Sequence, residues 1–183
     1  MLDHGSFAVL HKEPSADNQA IRLQANLTDA DLAGSAVLRT ARTLLQRAAD
    51  ASGLKLTATG NLSRAVVAEM TEVIDWPDFD KHRMFELNKV INEPDFLPAH
   101  FVRLLLQDTK LVRVNRVKLV PTRLGRKMLA TEQQGALQAL LFHITFWRVN
   151  LGYFDRNPVQ SWPQNDVGVV LWSLSMSANT PII

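Results

Sequence analysis

The sequence contains no cysteine, which excludes disulfides, thiol nucleophiles and cysteine zinc sites and leaves stability to a packed core. Glycine and proline number only eight each in 183 residues. No glycine-rich phosphate loop, dinucleotide fingerprint or serine nucleophile elbow is present, and Gly60 and Gly125 stand singly as turn or close-packing residues. The five histidines, His4, His11, His82, His100 and His143, form no helical pair that would present two metal ligands on one face. Asp75, Asp78 and Asp80 cluster without the glycine and terminal glutamate of a calcium loop. We therefore expect no metal, no cofactor and no enzymatic activity. The start, MLDHGSFAVLHKEP, lacks a basic region leading into a long apolar run, and the apolar stretch from Val167 to Met176 is too short to span a bilayer. A cytoplasmic protein without membrane association is expected.

What is present is enough apolar residue, 46% of the chain, to bury a sizeable core without staples. The formal net charge of +2 conceals a strong asymmetry. Between Glu69 and Asp95 stand eight acids against Lys81, Arg83 and Lys89. Between Thr109 and Thr131 stand Lys110, Arg113, Arg116, Lys118, Arg123, Arg126 and Lys127, with no acid at all. Such a division steers an anionic partner onto one face, or neutralises itself internally if the acids fold over the bases.

Residues 1–26 show no sustained periodicity and read as a loosely structured arm with a short strand near Ile21–Leu23. Residues 27–183 read as one domain. Thr28 with Asp31 forms a capping box that opens a helix to about Ala51, stopped by Ser52-Gly53. Leu54 to Thr57 alternates as a short strand, and a helix from about Leu62 to Ile74 ends before Trp76-Pro77. A further helix is predicted over Lys81–Ile91, burying Met84, Phe85, Leu87, Val90 and Ile91.

The stretch from Phe96 to Ala130 carries most information. Phe101, Leu104 and Leu105 fall at helical spacing, with Ala99, His100, Arg103 and Gln107 on the outer side. LVRV and VKLV then alternate apolar and basic residues around Asn115-Arg116, a gap suited to a tight hairpin. Beyond it, Thr131 with Gln134 is predicted to cap a helix to about Val149, and a last helix spans about Asn165–Ser177 with Val167, Val170, Leu171 and Leu174 on its apolar side.

The order helix, Leu111-Val112, basic ribbon, Leu119-Val120-Pro121-Thr122-Arg123-Leu124-Gly125, helix resembles the winged helix-turn-helix superfamily. Over roughly 55–131 it is similar to multiple-antibiotic-resistance type regulators. A second resemblance, through Leu56-Thr57-Ala58-Thr59-Gly60-Asn61-Leu62, the ribbon and Trp162-Pro163-Gln164 before Val169-Val170-Leu171-Trp172, is to a plasmid- and transposon-associated ORF-three-like family. Neither carries over a catalytic residue. The resemblance implies a mainly α protein with a small β-ribbon, a winged core at about 54–131 and flanking helices, those at 132–183 being candidates for homodimer contacts.

The functional expectation is a DNA-binding protein, a candidate transcriptional regulator, that contacts double-stranded DNA through its ribbon. Its nucleic-acid-binding residues would be His100, Arg103, Lys110, Arg113, Arg116, Lys118, Arg123, Arg126 and Lys127. The competing expectation is a protein-interaction or structural module of the same architecture, since exposed strands also carry Lys and Arg merely to prevent edge pairing.

Overall fold

A computed structural model of the chain describes residues 3–14, 20–24, 26–77, 79, 84–86, 89–155 and 163–178. The protein is mainly helical with one small antiparallel sheet. It divides into two compact units, residues 25–141 and residues 1–24 with 142–183, a partition drawn differently from the single body expected over 27–183.

In the larger unit, Thr28 and Asp31 form the expected capping box, with the Asp31 carboxylate accepting from the Thr28 amide at 2.9 Å. The helix it opens, α2 (Asp29–Ala33), stops at Gly34 rather than running to Ala51. Ser35 then caps a new helix, α3 (Ala36–Asp50), accepting from the Leu38 amide at 3.2 Å. The Gly-Ser pair favours a cap over helix interior because its serine offers the next turn a side-chain acceptor. Helix α3 buries Leu38, Ala41, Leu44, Leu45 and Ala48. It ends in a reverse turn with Ser52 and Gly53 at φ +52° and +107°, where the Gly53 amide donates to the Ala48 carbonyl at 2.7 Å.

Strand β1 (Leu54–Lys55) is shorter than expected, although the Leu56 amide still donates to Val117 O at 2.8 Å. Helix α4 (Arg64–Val73) follows. Of the helix predicted over Lys81–Ile91, residues 81–83, 87 and 88 lie outside the described residues. Within it 84–86 are helical, Met84 and Ile91 are buried, and Phe85 and Val90 are exposed, contrary to expectation.

A 3₁₀ turn at Glu93–Asp95 leads into α5 (Leu97–Asp108). The buried stripe of α5 is Ala99, Val102, Leu105 and Leu106, all fully enclosed, while Phe101 and Leu104 are half-buried. This corrects the predicted stripe. The helix has apolar residues on more than one face, so periodicity alone could not choose which one turns toward α3, its main packing partner. Leu105→Ala is accordingly expected to cost about 2 to 5 kcal/mol, and Leu104→Ala about 1 kcal/mol or less. Equal urea midpoints for the two variants would refute this orientation.

After α5 come β2 (Val112–Asn115), β3 (Lys118–Pro121), the short α6 (Arg123–Lys127), and a 3₁₀ turn leading into α7 (Gln134–Trp147). The expected Thr131–Gln134 capping box is not formed, since the cap position is Ala130. The sheet order is β1-β3-β2, antiparallel throughout, with Arg113 opposite Val120 and Asn115 opposite Lys118.

In the smaller unit the expected loose arm contains α1 (His4–Leu10), capped by Asp3, and no strand occurs at 21–23. Helix α8 (Leu151–Asp155) and a 3₁₀ turn precede α9 (Val167–Ala178). Trp162 lies outside the described residues. Gly168 lets α9 approach α1, for a Cβ there would stand 1.8 Å from the Leu10 carbonyl oxygen. His11 donates to Phe7 O and to Asp166, each at 2.9 Å, and the backbone bond followed by the Asp166 bond raises its pKa above the ordinary value. His143, half-buried, stands 3.3 Å from Glu13, whose carboxylate also accepts from Arg148 at 2.9 Å. Among the described residues no helix is long and apolar enough to cross a membrane.

Candidate nucleic-acid interface

The ribbon is positioned by its two ends. At its start, α5 closes in a turn that places Lys110 at φ +58°, with the Leu111 amide donating back to Leu106 O at 3.0 Å. At its end, Thr122 caps α6, and both its amide and hydroxyl donate to Leu111 O, at 2.9 and 3.2 Å. Gly125 then packs against that carbonyl so closely that a Cβ would lie 2.0 Å from the oxygen. The leucine, threonine, glycine spacing read in the sequence is therefore a clasp between the two ends of the hairpin.

Alternation divides the sheet into two faces. Leu54, Val112, Leu119 and Pro121 turn inward and are buried. The opposite face carries Lys55, Arg113 and Lys118, one cation from each strand, all exposed. Lys55 is directly paired with Lys118 across β1 and β3. Like charges placed opposite each other are unfavourable without a counter-charge. None of Lys55, Lys110, Arg113, Arg116, Lys118, Arg123, Arg126 or Lys127 takes part in an ion pair among the described residues. The acids of 69–95 that the structure describes do not neutralise the ribbon; Glu69, for example, pairs with Arg47 at 3.0 Å.

The hairpin turn consists of Arg116-Val117, one residue later than the sequence suggested, and Arg116 occupies φ +54°. Glycine or asparagine adopts this conformation at lower cost, so a charged side chain sits at the ribbon tip against local backbone preference. A depression of about 440 Å³ lies beside it, lined by Ser52, Asn115, Arg116, Val117, Lys118 and Val120. Lys55 is the residue that sequence reading misses. Its strand is legible, but the register against β3, which places the lysine on the basic face, is a tertiary fact.

His100 and Arg103 are corrected. Expected on the outer side of α5, they are buried, at 9% and 5% exposure, around Glu93, which is wholly enclosed. Arg103 Nε donates to Glu93 Oε1 at 2.5 Å, and His100 Nδ1 lies 2.7 Å from the same oxygen. The second carboxylate oxygen accepts from the Leu62 amide, and Arg103 also donates to Gln107 Oε1. Burial pushes the Glu93 pKa up, but the His100 and Leu62 hydrogen bonds and the Arg103 charge outweigh it, leaving the carboxyl below its ordinary value. Ala99 is likewise buried. The outward side of α5 consists of Leu97, Phe101, Leu104 and Asp108 together with Gln107, which is half-buried like Phe101 and Leu104 and is the one expected outer residue that is not buried. Sequence reading misses Glu93 because an acid in an Asn-Glu-Pro-Asp turn looks solvated. The physical signal is a histidine and an arginine seven and ten residues later, able to fold back onto it.

The helices and sheet that hold these groups are matched as a unit by the Y4jL N-terminal domain family, over residues 33–135, more than half of the chain. The chain belongs to that family. Its Y4jL N-terminal domain thus runs from the end of α2 to the start of α7 and includes the ribbon, the Gly125 clasp and the Glu93 cluster. A relative from Sinorhizobium fredii (strain NBRC 101917 / NGR234), named "Uncharacterized protein y4jL", is 36% identical over 81 residues. That match covers 44% of this chain and 37% of the relative, so it spans less than half of either protein. No solved structure matches.

Proposed function

We propose that the Y4jL N-terminal domain of this protein is a winged-helix module that binds double-stranded DNA through its phosphate backbone, as a transcriptional regulator would. The observation that carries this reading is the basic outer face of the sheet, where Lys55 opposes Lys118 beside Arg113 with no carboxylate between them. Arg116 at the tip, and Lys110, Arg123, Arg126 and Lys127 near the ribbon's base, are exposed as well. Neutralising phosphates releases condensed counterions, which favours cations held on a rigid element. Base readout by His100 and Arg103 forms no part of the proposal, because both side chains are occupied with Glu93. Binding is therefore expected to be largely indifferent to sequence.

Changing Lys55, Arg113, Arg116 and Lys118 together to alanine should weaken binding to all duplexes alike. It should also flatten the dependence of log K on log salt by up to about 0.9 for each phosphate that the variant no longer neutralises. Stability should barely change, since exposed charges contribute little. The test is a salt series with random-sequence duplex. If the parent protein binds none at about 50 mM salt, where electrostatic association is strong, the reading fails.

One observation favours a protein-interaction module instead. The first turns of α5 present an apolar stretch outward, with Leu97 37% exposed beside the half-buried Phe101 and Leu104. Failure of DNA binding would turn attention there. We further propose self-association through the C-terminal helices, because α9 leaves Val170, Trp172, Leu174 and Met176 exposed. Sedimentation equilibrium should report a dimer that Leu174→Glu with Met176→Glu dissociates. A monomer at all concentrations would remove this proposal.

A further inference from the structure

Within the unit of residues 1–24 and 142–183, the N-terminal segment is fastened to the C-terminal segments by packing and by ion pairs. Leu10 is buried where Gly168 lets α9 come close to its carbonyl. Glu13 accepts from Arg148 at 2.9 Å, with His143 Nε2 3.3 Å from the same oxygen. His11 adds a further tie, and its geometry fixes its charge. Nδ1 stands 2.9 Å from the Phe7 carbonyl oxygen, and Nε2 stands 2.9 Å from Asp166 Oδ1. A carbonyl and a carboxylate accept and do not donate, so both ring nitrogens must carry a proton, which only the imidazolium provides.

We propose that His11 is a pH-sensitive latch, closing α1 onto the start of α9 while it is an imidazolium and releasing it as rising pH removes that proton. Loss of the proton leaves one donor for two acceptors, and the charge attraction to Asp166 disappears whichever nitrogen keeps its hydrogen. The Phe7 bond lies inside the N-terminal segment, so it is the Asp166 bond that couples the proton to docking. Of the charged groups around the ring, Asp3 at the α1 cap is engaged by Ser6, and Glu13, beyond Lys12, turns to Arg148 and His143. Helix α9 brings no ionisable side chain, and α1 brings only His4. The Glu13–Arg148 pair needs no histidine, so residue 13 stays tethered when α1 is released. Because the docked pKa is raised, first by the Phe7 bond and then by Asp166, closure is fully present below the ordinary value of 6.5 and is lost as pH rises through the higher docked value. The His11 and Asp166 side chains are 33% and 56% exposed, so the bond is weak enough to open without unfolding the protein. The inference is independent of DNA binding and of self-association.

The test is NMR on the full chain over about pH 5.5 to 8.5, a window that spans histidine titration. It follows the His11 ring signals, assigned by their loss in His11→Gln, and the amide exchange of α1. His11 should titrate with a midpoint above 6.5, and Asp166→Asn should lower that midpoint. A helix of seven residues is not stable alone, so release exposes its amides. Protection at Phe7 to Leu10, corrected for intrinsic exchange, should therefore fall through the same midpoint, by up to about tenfold for each pH unit that Asp166→Asn takes from it. His11→Gln, which does not titrate, should hold one level of protection across the range, and the amides of α3 serve as reference. The latch is overturned by a midpoint at or below 6.5, by a midpoint that Asp166→Asn leaves unmoved, by α1 protection that does not change through it, or by the same change in His11→Gln. Should either variant fail to fold, the midpoint and the α1 protection of the parent chain decide alone.

Discussion

Replacing Glu93 by alanine is expected to destabilise the protein by about 3 to 5 kcal/mol, because it strands charge in the interior. The Glu93 carboxylate is the shared acceptor for Arg103, His100 and the Leu62 amide, none of which has ready access to water. Removing it leaves the buried Arg103 charge with only the neutral Gln107 side chain as acceptor and the Leu62 amide with none, and a cavity besides. The arrangement ties the start of α4, through Leu62, to α5, so the loss should loosen the two helices that precede the ribbon. If the cost arises from stranded charge, then adding Arg103→Met to Glu93→Ala should recover part of it, a coupling that a double-mutant cycle measures. Simple additivity would show that the cluster is not a unit.

The same group sets an acid limit. Its folded pKa lies below its ordinary value of 4.5, so its contribution is fully present above that value and disappears as pH falls through the folded pKa. Urea unfolding measured below pH 4.5 should therefore show a steeper loss of stability in the parent than in Glu93→Gln. Parallel curves would count against the assignment.

Gly125→Ala should cost about 3 kcal/mol or more, near the upper end for overpacking, although alanine is the better helix former by about 1 kcal/mol. The added Cβ would meet Leu111 O at 2.0 Å and Leu111 C at 3.0 Å. Both are backbone atoms, so no rotamer change relieves the clash. The backbone at Leu111 must move, and with it the hydrogen bonds from Thr122 that join the two ends of the hairpin. Gly60 is a fitting control. A Cβ there meets nothing within 4 Å, although φ is +84°. Gly60→Ala should cost only the roughly 1 to 2 kcal/mol of a left-handed alanine. Thermal melts in which Gly125→Ala is no worse than Gly60→Ala would contradict the clasp.

Much of the candidate site is legible in the sequence. The basic ribbon is visible because strand alternation and the absence of acids from Thr109 to Thr131 are local properties. Seven of its predicted cations, from Lys110 to Lys127, are exposed. The α5 contribution is misread for a physical reason. Charged residues on a helix default to solvent in any sequence reading, and only a buried acid reached from another segment could draw His100 and Arg103 inward.

By itself the sequence determined the element types around the ribbon, the hairpin, the Thr28 cap and the segregation of charge, since each depends on residues within a turn or two of one another, but not the helix His4–Leu10. Tertiary structure decided what depends on distant neighbours. It selected Leu105 over Leu104 for the core of α5, because that helix is apolar on two sides and α3 packs on one. It set the β1 register that brings Lys55 against Lys118. It also gave Glu93 its partners, because a charge can be buried only where opposite charge and donors converge on it, here from Leu62 and from His100 and Arg103 of α5.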